Sequence, residues 1–138
     1  MTVIATDTQR YSNVVKREFE PEWGYCKKVV TVNGPAASIP IGMVLGLVTA
    51  TGKYKVVETS AVDGSQVAAV VVVGDAMGRP LTTAMAATTD TKFLVIYRGP
   101  VAVSDTSLSY GASITAGALT TTAQGQLIAA GIDVLTTI

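Results

Sequence analysis

The chain has 138 residues, ten Lys and Arg against ten Asp and Glu, no His and one Cys. A net charge of zero offers no surplus to neutralise phosphates, which disfavours nucleic-acid binding, and the lack of His removes the commonest general base and zinc ligand together. The length suits one domain, the lone cysteine cannot form an intrachain bridge, and only 14% charged residues leaves apolar surface that partners are expected to cover.

The opening "MTVIATDTQR" lacks a cationic start followed by an apolar run, so no signal peptide is expected. Nine of the twenty charged residues and four of the eight aromatics fall within the first 28 positions. Within "NVVKREFE", extended geometry sets Val15, Arg17 and Phe19 on one side and Val14, Lys16 and Glu18 on the other. Glu20-Pro21-Glu22 rules out a continuous helix beyond it. The same residues also read as an ordinary surface strand or a terminal tail. Exposed Phe and Trp, however, tend to find partners. The favoured reading is a binding arm over 1–24, which adds to the edge of a partner's sheet through Val14, Val15, Lys16, Arg17, Phe19 and Trp23. A β-rich domain is expected over 25–138, and that domain is expected to stay folded when 1–24 is deleted.

After the arm, "KKVVTVNGP" predicts a strand ending at Asn33-Gly34-Pro35. "GMVLGLVTATGKYKVVE" predicts a hairpin: Val44 to Thr49, a turn at 50–52, then Lys53 to Glu58 with Tyr54 and Val56 on the dry face. "AVDGSQ" is a turn. "VAAVVVV" at 67–73 is apolar on both faces, predicting a buried strand, and is far short of the ~20 residues of a membrane span. Residues 75–91 show no clear period and read as an exposed excursion. "KFLVIYRGPVAVSD" predicts two short strands bent at Arg98-Gly99-Pro100, because Pro100 cannot donate to a ladder. "TTTAQGQLIAAG" predicts one helix, with Ala123, Leu127 and Ala130 inward, Thr120 or Thr121 as cap and Gly131 past its end; "IDVLTTI" is a closing strand.

Catalytic signatures fail in turn. "GLVTATGK" has the wrong spacing for a phosphate loop, and Tyr54 stands where Ser or Thr would hold magnesium; a hairpin turn is the better reading. No His can activate a serine. Asp63, Asp75, Asp90 and Asp105 stand scattered in turn contexts and predict no metal site. Cys26 lies beside Lys27 and Lys28 but without a His partner reads as a small strand residue. The expectation is a non-enzyme without cofactor or metal.

The order of "NVVKREFEPEWGYCKK", "IPIGMVLGLVT", "GKYKVVETSAVDGSQVAAVVVVGD", "FLVIYRGPVAVSDTSL" and "LIAAGIDVL" resembles the head decoration proteins of tailed bacteriophages, the lambda protein D type. The resemblance implies a mainly β, compact β-clip-like domain with one short C-terminal helix and an extended N-terminal arm. It further implies a homotrimer on the outer surface of the expanded head, where it cements neighbouring major capsid proteins, with no nucleic acid and no membrane among its partners. Such a protein is made in the host cytoplasm and ends in the virion. Alternatives are a tail-tube or fibre-associated structural protein, and a small β-clip nucleotidohydrolase-like enzyme. The latter would need clustered acids that these Asp positions do not suggest.

Overall fold

The computed structural model describes residues 14–19, 26–33, 39, 41–59, 61–75, 90–111, 114 and 118–135. These form eight strands: β1 (Val15–Glu18), β2 (Lys27–Asn33), β3 (Val44–Leu47), β4 (Tyr54–Val56), β5 (Val70–Asp75), β6 (Asp90–Ile96), β7 (Val101–Ser104) and β8 (Ile132–Leu135). One α-helix, α1 (Ala118–Ala129), precedes β8, so the fold is mainly β with a short C-terminal helix among the described residues.

Two layers organise the strands. β2, β4, β3, β5 and β6 close into a barrel in that order, while β1, β7 and β8 make a separate sheet with β7 in the middle. β2 lies antiparallel to β6 along its whole length, from Lys27↔Ile96 to Asn33↔Asp90. β3 and β4 form the expected hairpin through Leu45↔Val56 and Leu47↔Tyr54, so Gly46 lies within a paired strand and residues 48–53 are the turn, not a phosphate cradle.

Alternation along the strands explains both cores. Val30, Val32, Leu45, Tyr54, Val70, Val72, Phe93 and Val95 are buried together, and every barrel strand contributes to this interior. The intervening Val44, Val71, Val73 and Ile96 join a second core with Val14, Val15, Val101, Val103, Leu127 and Ile132. The outer sheet and α1 therefore cover one flank of the barrel. The run Val70–Val73 is apolar on both faces because each face of β5 meets a different core.

The helix departs from expectation at both ends. It begins at Ala118, so Thr120 and Thr121 lie inside its first turn and do not cap it. Ala123 and Leu127 are buried as expected, but Ala130 lies past the helix end and is exposed. Gly131 takes φ +93°, and its N–H donates to Ile128 O at 3.0 Å, which closes the helix. Gly99 packs directly against this turn: a Cβ there would overlap the Gly131 carbonyl oxygen. The chain bends at 98–100 between β6 and β7, as Pro100 predicts. Of the 75–91 excursion, residues 76–89 lie outside the described residues.

Of the span read as an arm, residues 14–19 are described, and β1 is a strand of the domain's own outer sheet. It runs antiparallel to β7, pairing Val15 with Val103, Arg17 with Ala102 and Glu18 with Val101. The register shifts between Val15 and Arg17. That irregularity breaks the simple alternation expected for this stretch and lets the successive residues Val14 and Val15 both be buried, at 0% and 8% exposure.

Candidate functional site

Two valines moor the N-terminal segment. Val14 and Val15 sit among Val44, Val57, Val103 and Leu127, so neither presents its side chain to a partner. Lys16 is exposed. Glu18 reaches across to β2, where its Oε2 lies 3.3 Å from Lys27 Nζ. This ion pair is largely shielded and ties the end of β1 to the start of the barrel.

β1 ends at Phe19. Its N–H donates to the Pro100 carbonyl at 3.0 Å, extending the pairing with the β7 side by one residue. The residue is 46% exposed, which is unusual for one whose side-chain burial stabilises by roughly 1.5–3 kcal/mol. Beside it opens a cleft of about 330 Å³, lined by Glu18, Phe19, Pro100, Val101, Ala102 and Asp133. The walls are mostly apolar, and the two carboxylates are its charged groups.

Cys26 lies beside the end of β1. Its Sγ lies 3.8 Å from Phe19 O and 3.6 Å from Pro100 O, so residues 19 and 26 are neighbours in space. Trp23, between them, lies outside the described residues. Burial pushes the Cys26 thiol above its ordinary pKa, partly offset by the hydrogen bond to the Phe19 carbonyl. A buried, protonated thiol is a poor nucleophile, which fits its reading as a packing residue.

The turn aspartate behaves structurally. Asp63 Oδ1 accepts from the Ser65 hydroxyl at 2.6 Å and the Ser65 amide at 3.1 Å, and its Oδ2 accepts from Lys55 Nζ at 3.0 Å. The Ser65 bonds, then Lys55, hold its carboxyl well below the usual carboxylate range. Asp90, at the start of β6, pairs with Lys53, just ahead of β4. Among the described residues no group of three or more Cys, Asp and Glu is arranged to hold a metal ion.

Thus the structure brings Phe19 and Glu18 to one cleft, buries Val14 and Val15 behind it and leaves Lys16 at the surface. Sequence reasoning missed the partners supplied by β7 and β8, above all Asp133. No local pattern links position 133 to position 18, because a parallel β7–β8 pairing brings them together.

A family model described as "Bacteriophage lambda head decoration protein D" matches residues 6–132, nearly the whole chain. The chain belongs to that head decoration protein family. A search among curated proteins finds no significant match. Membership makes this a phage capsid decoration protein and a component of the virion, in a structural family and not a known enzyme family. The match takes in β1 and every residue lining the cleft except Asp133.

Proposed function

We propose that this decoration protein is a trimeric cement on the outer surface of the expanded head, stabilising contacts between major capsid proteins. The observation that carries the reading is the family match over residues 6–132. Within it, the N-terminal segment reads the shell through Lys16, Arg17, Phe19 and Trp23, while Val14 and Val15 anchor it to the domain. Support comes from Phe19, a large apolar side chain left 46% exposed beside an apolar cleft. Support for self-association comes from the low charge content and from Val62, Val67, Leu119 and Ile128, which are exposed.

The test is co-sedimentation with expanded, undecorated capsids beside sedimentation of the protein alone. Wild-type protein is expected to bind and to trimerise, and Phe19→Ala to cost on the order of 2 kcal/mol per protomer, amplified by three-fold avidity. A stable monomer at high micromolar concentration, or no binding by wild-type protein, overturns the reading.

A further inference from the structure

The barrel closes weakly at one seam. β2 meets β4 in parallel through a single register pair, Val32↔Tyr54, whereas its other edge is paired with β6 from end to end. Before that pair, β2 and the β3–β4 turn diverge. The gap is an open cleft of about 560 Å³, lined by Lys28, Val29, Val30 and Thr31 on one wall and by Leu47, Thr51, Gly52, Lys53 and Tyr54 on the other.

The ladder fixes which backbone groups face this gap. Tyr97 N donates to Cys26 O at 2.9 Å, so positions 26, 28, 30 and 32 of the antiparallel ladder spend their N–H and C=O groups on β6. Val29 and Thr31 fall at the alternate positions and turn theirs the other way. The pair Val32↔Tyr54 engages the Thr31 carbonyl, leaving the N–H and C=O of Val29 and the N–H of Thr31 facing the cleft. Such a row is a template for one more strand. On the facing turn, the Thr51 and Gly52 N–H groups are spent on Val48 O, and Lys53 O accepts from Val48 N–H.

Charge indicates what kind of strand fits. The charged residues lining the cleft are both lysines. Lys53 is paired with Asp90. Lys28 stacks its ammonium 4.6 Å from the Tyr97 ring centre and 5.8 Å from that of Tyr54, and no carboxylate among the described residues pairs with it. Arg98 lies over the other reach of Tyr97, at 5.0 Å, and adds to the positive field.

We infer that this seam is a second docking site, taking an extended, carboxylate-bearing segment of the capsid protein as an added strand on β2, with the carboxylate against Lys28. The inference rests on the proposed capsid-binding function and adds a contact separate from the N-terminal segment.

Binding of whole protein to expanded, undecorated capsids tests it, with three variants and amide exchange as readouts. Val29→Pro removes the N–H aimed into the cleft without removing a donor of the β6 ladder, although it also fixes φ at position 29; Lys28→Glu reverses the charge. Each is expected to weaken binding about tenfold, while Lys92→Glu, exposed on β6 outside the cleft, binds like wild type. The Val29 and Thr31 amides are expected to exchange freely in the isolated protein and slowly on the capsid. Should Val29→Pro fail to fold, Lys28→Glu and the exchange readout decide the matter. Wild-type affinity in Lys28→Glu, equal losses in Lys28→Glu and Lys92→Glu, or unprotected amides on the capsid would overturn the inference. Protection already present in the isolated protein would also overturn it, by showing the seam filled by another copy. Failure of wild-type protein to bind capsids would instead refute the function on which it rests.

Discussion

Residues 14–19 are expected to be needed for folding, and two truncations isolate their contribution. Deleting 1–13 keeps β1; deleting 1–19 removes it together with Val14 and Val15. Those two valines are 0% and 8% exposed, and burying a valine stabilises by about 1.5–3 kcal/mol, so the longer deletion should cost about 3–6 kcal/mol more than the shorter. The lost pairing with β7 and the newly exposed Val101 and Val103 add to this. For a domain whose whole stability is about 5–15 kcal/mol, that difference decides whether the fold survives warming. At roughly 3–4 °C per kcal/mol for a chain of this length, the two proteins should melt at least ~10 °C apart. Val14→Ala is the finer probe. It deletes two methyl groups at ~0.8 kcal/mol each and leaves a cavity, for a total of about 2–3 kcal/mol. Thermal melts and urea titrations of all three variants give the answer. Truncations that melt within ~2 °C of one another, or a Val14→Ala variant within ~0.5 kcal/mol of wild type, would refute the mooring argument and restore a separable arm over 1–24.

Cys26→Ala should leave capsid binding unchanged while costing up to a few kcal/mol of stability, because the thiol is buried and only its packing and its weak bonds to the Phe19 and Pro100 carbonyls are lost; a folded variant that fails to bind in co-sedimentation would show a role for the sulfur. The native thiol should react slowly with a colorimetric disulfide reagent at neutral pH and quickly once the protein is unfolded, since burial both covers it and raises its pKa. Asp63→Asn should lower stability at neutral pH through the turn bonds to Ser65 and Lys55. Because the folded carboxyl is held below its ordinary pKa of about 4, that contribution is complete above about pH 5 and drains as pH falls further, so the gap between wild type and variant should close in acid. A gap constant from pH 6 to pH 2.5 in urea midpoints would show that the charge of Asp63 is immaterial. Gly99→Ala should destabilise by about 1–3 kcal/mol, since its methyl group would displace the Gly131 turn that ends α1; an unchanged melting curve would mean that this corner relaxes freely.

The strands from Lys27 onward were legible because each is a short Val-rich run bounded by Gly, Pro, Asn or Asp, and the order of those runs carried the family resemblance. The double-sided burial of Val70–Val73 was legible for the same reason: four consecutive valines leave no wet face. Nothing local revealed β1 as part of the fold. Its outer half, Lys-Arg-Glu, has the composition of a solvated segment, and its burial depends on Val101 and Val103, more than eighty positions away. The bulge between Val15 and Arg17 also hides the period that would have marked a strand. The helix start was misplaced because Ala118 and Leu119 carry no capping chemistry, so the threonines that follow drew the assignment inward. The β2–β4 seam was invisible for a different reason: which strand edge stays unpaired is a property of closure, not of any strand's own residues.

That closure also explains why charge gathers near the start of the barrel. Lys27 and Lys28 are successive residues of β2, so their side chains leave on opposite faces. Lys27 turns outward to Glu18 and fastens the end of β1, while Lys28 turns toward the barrel mouth and lies over Tyr54 and Tyr97. One step along a strand thus joins the anchor of the N-terminal segment to the open seam. A neutral or apolar pair at these positions would lose both contacts: nothing would hold Glu18 as it leaves water, and no cation would lie over Tyr54 and Tyr97 at the mouth. The described charge around the end of β1 and the start of β2 therefore divides between the Glu18–Lys27 pair, spent inside the protein, and Lys16 and Lys28, which are exposed at the surface.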